Sequence, residues 1–167
     1  NANMIGKSYH DMYNEKTILG RWLRTKPAML RIRDLLFVHA GISPNYLRHQ
    51  LDIATINETM MTSIDVPSER YDAIAAKALS KEGPLWCRAI ARNDVSTTDL
   101  DAILNFYSAK TIIFGHTKVD NITAAQGGKV INLDVHHEDG EKYQQTLLVE
   151  SGSFYSVNTS GQKSKIK

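Results

Sequence analysis

With a single cysteine, Cys87, in 167 residues, the chain can form no internal disulfide and no multi-cysteine zinc cluster. Long apolar runs are also missing. Stretches such as Leu35–Val38 fall far short of the roughly 20 apolar residues a membrane-crossing helix needs. Nor is there a strong charge of one sign: 20 Lys and Arg against 18 Asp and Glu leave a net +2. Part of that excess sits in Lys163, Lys165 and Lys167. A dedicated nucleic-acid binder shows a basic face at a more extreme pI than 8.6, so none is expected as a partner. No secretory leader pattern opens the chain, and Asn1-Ala2 is read as a tag remnant. What remains is ordinary globular material, 42% hydrophobic and 23% charged. A chain of this length buries roughly 68–70% of its unfolded surface and forms one domain without staples.

Residues 13–24 carry Ile18, Leu19, Trp22 and Leu23 at helical spacing, ending before Pro27. Two β-prone runs, 28–32 and 35–40, flank Arg33-Asp34 as a hairpin. Ser43 as N-cap and Pro44 at the first position predict a helix to about residue 63, and the pattern predicts another over 68–80. Gly83-Pro84 breaks the latter and leads into the loop Leu85-Trp86-Cys87-Arg88. Ser96 and Asp99 form a capping box before a helix over 97–108. A buried strand over 110–114 follows, then strands near 122–125, 129–135, 145–150 and 153–157. Residues 158–167 are expected as a flexible, polar and basic tail. Helices first and strands afterwards predict an α/β (or α+β) layered domain over 3–157 with a mixed sheet.

Of the six histidines, His39 and His116 share one kind of position. Each stands just past the end of an apolar strand, where open α/β folds bind ligands, and each has a glycine close by, Gly41 or Gly115. Two imidazoles held this way suit a metal ion; either alone is equally a satisfied loop histidine. Asp134 and His136 would point to the same side of a strand, which makes Asp134-Val135-His136-His137 either a ligand cluster or a solvated turn. Arg88 could clamp a phosphate bidentately or simply lie in solvent. His10 and His49 are expected at the surface, and Cys87 as packed rather than reactive. The sequence holds no Walker A, Gly-x-Gly-x-x-Gly, Gly-x-Ser-x-Gly or His-Glu-x-x-His motif.

Four strings occur in order: Leu35-Leu36-Phe37-Val38-His39-Ala40-Gly41-Ile42-Ser43-Pro44, Gly83-Pro84-Leu85-Trp86-Cys87-Arg88, Ile113-Phe114-Gly115-His116-Thr117 and Val130-Ile131-Asn132-Leu133-Asp134. Together they resemble the calcineurin-like metallophosphoesterases, in the bacterial, Shewanella-like branch of the PPP serine/threonine phosphatases. The resemblance covers roughly residues 17–157. Ala40 replaces the first glycine of the family's His-Gly-Gly motif, and Lys118 stands where many relatives have a second histidine. The resemblance implies a metallophosphoesterase-type β-sandwich flanked by helices. It makes His39 and His116 ligands of one metal of a dinuclear Mn, Fe or Zn site, and puts Arg88 near the substrate phosphate. It also implies a phosphorylated substrate, protein or small phosphoester, and leaves the compartment, bacterial cytoplasm or periplasm, undetermined.

The family's Gly-Asp-x-x-Asp and Gly-Asn-His-Glu motifs are absent, since none of the ten glycines precedes Asp or Asn. Asp134-Val135-His136 has the letters of the Asp-x-His motif but lies after Gly-His-Thr, as a decoy. The chain is therefore read as the C-terminal half of a phosphatase. It would need the N-terminal half as its partner, bind metal weakly and be inactive alone. Two alternatives stand beside this reading. One is a non-enzymatic binding module that keeps the fold; the other is a mononuclear metal hydrolase using His39, His116, Asp134 and His136.

Overall fold

The computed structural model describes residue 6 and residues 8–167; Asn1-Ala2 lies outside them. The chain opens with a single helical turn, α1 (Tyr9–Met12), and the short helix α2 (Ile18–Leu23), which the Thr17 hydroxyl caps by accepting from the Gly20 N–H. The predicted hairpin follows as β1 (Met29–Ile32) and β2 (Leu35–Val38), with Arg33 in the left-handed region at its turn.

The helix expected from Ser43 to residue 63 forms in two pieces. Ser43 caps a 3-10 stretch, Pro44–His49, which ends where Gln50 turns left-handed. Asp52 then caps a new helix, α3 (Ile53–Ser63). The helix predicted over 68–80 is shortened in the same way. The Asp72 carboxylate accepts from the Ile74 and Ala75 N–H groups, and α4 starts there (Ala73–Ala78). An internal Asp gains more as an N-cap than as a helix residue. The capping box at Ser96 and Asp99 opens α5 (Thr97–Phe106) as the sequence predicts.

The remaining strands are β3 (Thr111–Phe114), β4 (Thr123–Ala125), β5 (Val130–Asn132), β6 (Gln145–Glu150), β7 (Ser153–Asn158) and β8 (Lys163–Lys165). The first five strands form a mixed sheet ordered β1-β2-β3-β5-β4; β2, β3 and β5 run parallel, and the two edges are antiparallel. A second, antiparallel sheet contains β6-β7-β8. The expected α/β class with a mixed sheet is the observed one.

Side-chain alternation along the strands separates two cores. Leu36, Val38, Ile112, Phe114 and Val130 face the helices and pack with Ile56, Leu100, Ile103 and Tyr107. Leu35, Phe37, Ile113 and Ile131 face the second sheet and meet Leu147 and Phe154. β3 is buried along its whole length because both faces are covered.

Residues 158–167, expected to be a flexible tail, instead turn and pair as β8 with β7. The last side chain folds inward: the Lys167 ammonium donates to Thr111 Oγ1 at 2.7 Å and to the Gly128 carbonyl at 2.9 Å. The charge pattern hid this, because alternating lysines can ride on an edge strand with their ammonium groups in solvent.

Candidate functional site

β2 and β3 are adjacent and parallel, paired Leu35 with Thr111 and Phe37 with Ile113, so their C-terminal ends leave the sheet together. The ladder continues one step further, where the Gly115 N–H donates to the His39 carbonyl at 2.9 Å. This brings together two histidines 77 residues apart in sequence. His39 Nε2 and His116 Nδ1 are 2.9 Å apart, with ring centroids separated by 4.7 Å.

His116 has φ 64°, the strained left-handed region, as residues at functional sites often do. Its Nε2 is buried without a hydrogen-bond partner, as is the neighbouring Thr117 Oγ1. Burial, and then the charges of Arg88 and His39, hold the imidazole below the usual histidine range; Asp134 pulls the other way. The β5 exit supplies that aspartate. A Cβ placed on Gly115 would lie 3.6 Å from the Asp134 Cβ.

Asn132, at the end of β5, ties the two loops together and was not singled out from the sequence. Its amide donates to the Thr117 carbonyl at 2.7 Å, and its oxygen accepts from the Asp134 N–H at 3.0 Å. The only trace of this in the sequence is an amide side chain at a strand end, beside a loop rich in polar groups.

The loop 83–88 closes over the same end of the sheet. The Ala40 N–H donates to the Pro84 carbonyl at 2.7 Å, and the Ser43 N–H to the Glu82 carbonyl at 3.0 Å. Cys87 is buried, as expected, and burial pushes its thiol pKa up. Trp86 and Arg88 on either side of it are exposed. The Trp86 ring stands perpendicular to His116, 5.7 Å away. A groove of about 510 Å³ runs from His39 past Val38, Leu85 and Met60 to Leu23.

The other predicted residues lie elsewhere. His136 turns toward a separate cluster, with Nδ1 3.2 Å from Asp139 and Nε2 3.8 Å from Asp120. Among the described residues, three or more metal-competent side chains gather within 4.8 Å only at His136, Glu138 and Asp139. This corrects the mononuclear alternative: β5 ends at Asn132, so Asp134 stays beside Gly115 and His116 while His136 turns away to Asp139, and the four side chains do not gather at one point. His137 lies exposed in a single 3-10 turn, and His49 packs edge-on against Tyr46. The His10 side chain lies outside the described residues.

No family model matches this sequence. A search of curated proteins also finds no match. Solved structures do match, and they decide the comparison. The chain is similar to protein-tyrosine phosphatases. One match is the cold-active protein-tyrosine phosphatase of a psychrophilic Shewanella species, at TM-score 0.91 and 25% identity, covering 99% of this chain and 50% of that one. A mutant cold-active protein tyrosine phosphatase gives the same figures, and a match to a further structure of a cold-active protein tyrosine phosphatase differs only in covering 49% of that chain. The chain thus spans about half the length of the structures it matches.

These matches correct the resemblance drawn from the four motifs. The chains that superpose on this one bear the name of tyrosine phosphatases, and the attribution to calcineurin-like metallophosphoesterases of the serine/threonine branch is not carried further, nor is its β-sandwich label. The dinuclear metal cofactor is corrected as well, since that resemblance alone supported it. In this chain the facing nitrogens of His39 and His116 are engaged with each other, and neither residue belongs to a three-ligand group among the described residues.

Proposed function

We propose that this chain forms part of a phosphatase, contributing His39, His116 and Arg88 to the site that holds the phosphoryl group of a phosphomonoester. The observation that carries this reading is the 2.9 Å contact between two imidazoles at the ends of parallel strands, within reach of the Arg88 charge. If His39 Nε2–H donates to His116 Nδ1, the His116 Nε2–H is the remaining donor, and it is the buried, unpartnered atom. Leaving such a group unpaired costs about 1–3 kcal/mol, which a phosphate oxygen would recover. The Arg88 guanidinium, close enough for its charge to be felt at His116, neutralises charge on the other phosphoryl oxygens as the bond to the leaving oxygen breaks. The names of the matched structures support a phosphotyrosyl substrate.

The same reading includes a partner surface. Ile18, Leu19 and Trp22 on α2 and Leu30 and Ile32 on the edge strand β1 are exposed, and Leu30 lines the groove that reaches His39. We propose that sequence corresponding to the uncovered half of the matched structures docks on this face and completes the catalytic group. The chain alone then binds phosphate without turning over substrate.

The test is hydrolysis of p-nitrophenyl phosphate by this chain and by a version carrying further upstream sequence. Activity is expected only in the longer protein, falling about 100-fold or more in His39→Ala and His116→Ala. A well-folded longer protein without activity would overturn the reading in favour of a non-enzymatic binding module.

A further inference from the structure

Trp86 is 55% exposed, yet its loop is fixed on both sides. The Trp86 and Cys87 N–H groups both donate to the Gly83 carbonyl, at 3.2 and 3.1 Å. The Pro84 carbonyl accepts from Ala40, and the Cys87 side chain is buried. A large apolar ring is thus held in solvent at a set position, perpendicular to His116 at 5.7 Å and two residues from Arg88. Neither core uses it.

From this placement we infer that Trp86 is the specificity-determining residue of the site. Its indole stacks on the aromatic ring of an aryl phosphomonoester and so favours phosphotyrosyl-type esters over alkyl ones. The inference rests on the phosphate-site reading above. With the phosphoryl group at His116 Nε2 and Arg88, an aryl ring joined through one oxygen falls within the 4.5–7 Å centroid range of aromatic pairing with the indole. A serine-type ester carries only a short aliphatic stem, which gains no stacking there. Two fixed rings also lose little rotational freedom on association. Trp86 acts on binding of the leaving group, not on the phosphoryl group itself.

The chain contains only two tryptophans, Trp22 and Trp86, so Trp22→Phe leaves Trp86 as the single indole reporter. Phenyl phosphate, glycerol phosphate and inorganic phosphate are titrated into this variant by fluorescence, and into wild type and Trp86→Ala by calorimetry. Phenyl phosphate is expected to bind about 2- to 12-fold more tightly than glycerol phosphate, the range an aromatic pair supplies. Trp86→Ala should remove that preference and leave inorganic phosphate affinity unchanged, while Trp86→Phe should keep part of it. Inorganic phosphate binding without an aryl preference, or a preference that survives in Trp86→Ala, overturns the role of Trp86 alone. No binding of inorganic phosphate to folded wild type overturns the phosphate-site reading, and this inference with it.

Discussion

Gly41→Ala probes how tightly the Trp86–Arg88 loop is tied to the strand end that carries His39. A Cβ at Gly41 would stand 2.9 Å from the Cys87 carbonyl oxygen, inside the closest approach that such atoms tolerate. The obstacle is backbone, and it cannot swing aside. Hydrogen bonds from Ala40 to Pro84 at 2.7 Å and from Ser43 to Glu82 at 3.0 Å clamp the two segments on either side. Relief requires the 84–88 loop to move out by a few tenths of an ångström, stretching those bonds and loosening the buried Cys87. Overpacking of this kind costs about 1–3 kcal/mol, and the positive φ of 155° at Gly41 adds backbone strain of its own. For a domain of this size that is a fall in Tm of about 2–12 °C. The displaced loop carries Arg88, so affinity for inorganic phosphate should fall with stability. Gly127→Ala is the control: nothing lies within 4 Å of its added Cβ, and only its left-handed φ of 67° is penalised, by about 1 kcal/mol. The assay is thermal unfolding of both variants together with phosphate calorimetry at a temperature where both are folded. Wild-type stability and affinity in Gly41→Ala would refute the clamped-loop argument.

Burial, Arg88 and His39 lower the His116 pKa, so the unfolded chain binds more protons than the folded one as pH falls below about 6.5, the ordinary histidine value. Stability should therefore decline with acidification through that window, level off below the folded-state midpoint, and lose this component in His116→Asn. Imidazole NMR should place the His116 midpoint below the ordinary value and move it up in Arg88→Ala; a midpoint above 6.5 in wild type refutes the assignment. Asn132→Ala removes the bond that links the end of β5 to the β3 exit loop at Thr117, together with the local turn bond from the Asp134 N–H. It should cost about 1–3 kcal/mol and weaken phosphate binding although Asn132 is not proposed to touch the ligand, as unfolding and calorimetry on one preparation would show. Lys167→Ala removes donors to Thr111 and Gly128, with an expected loss of about 1–2 kcal/mol and faster hydrogen exchange along β7 and β8. Unchanged exchange there would mean that the C-terminal strand contributes nothing.

Local rules in the sequence set the starting points of the elements. Ser43, Ser96 and the Arg33-Asp34 turn are where they were expected, because a cap or tight turn is decided by a few neighbouring residues. Helix lengths were less legible. Asp52 and Asp72 each compete as a cap inside a stretch with continuing apolar periodicity, and the chain uses them. The Asp134–His136 cluster misled for a related reason: two residues on one strand face share a direction only while the strand lasts, and β5 stops at Asn132. The family drawn from motif letters was corrected by superposition over 99% of the chain, which senses the path of the backbone instead of four short strings.

By itself the sequence determined the alternation of apolar residues that makes β2 and β3 two-faced, and it placed a histidine just past each of them. Those properties depend on side-chain period and local turn chemistry. Strand order was decided only by the tertiary structure. Parallel pairing of β2 with β3 puts His39 against His116, and packing of the 83–88 loop against residues 40–43 brings Trp86 and Arg88 to them. No local signal specifies such a meeting, because it depends on which buried faces fit across a connection of many residues, and that fit belongs to the whole core.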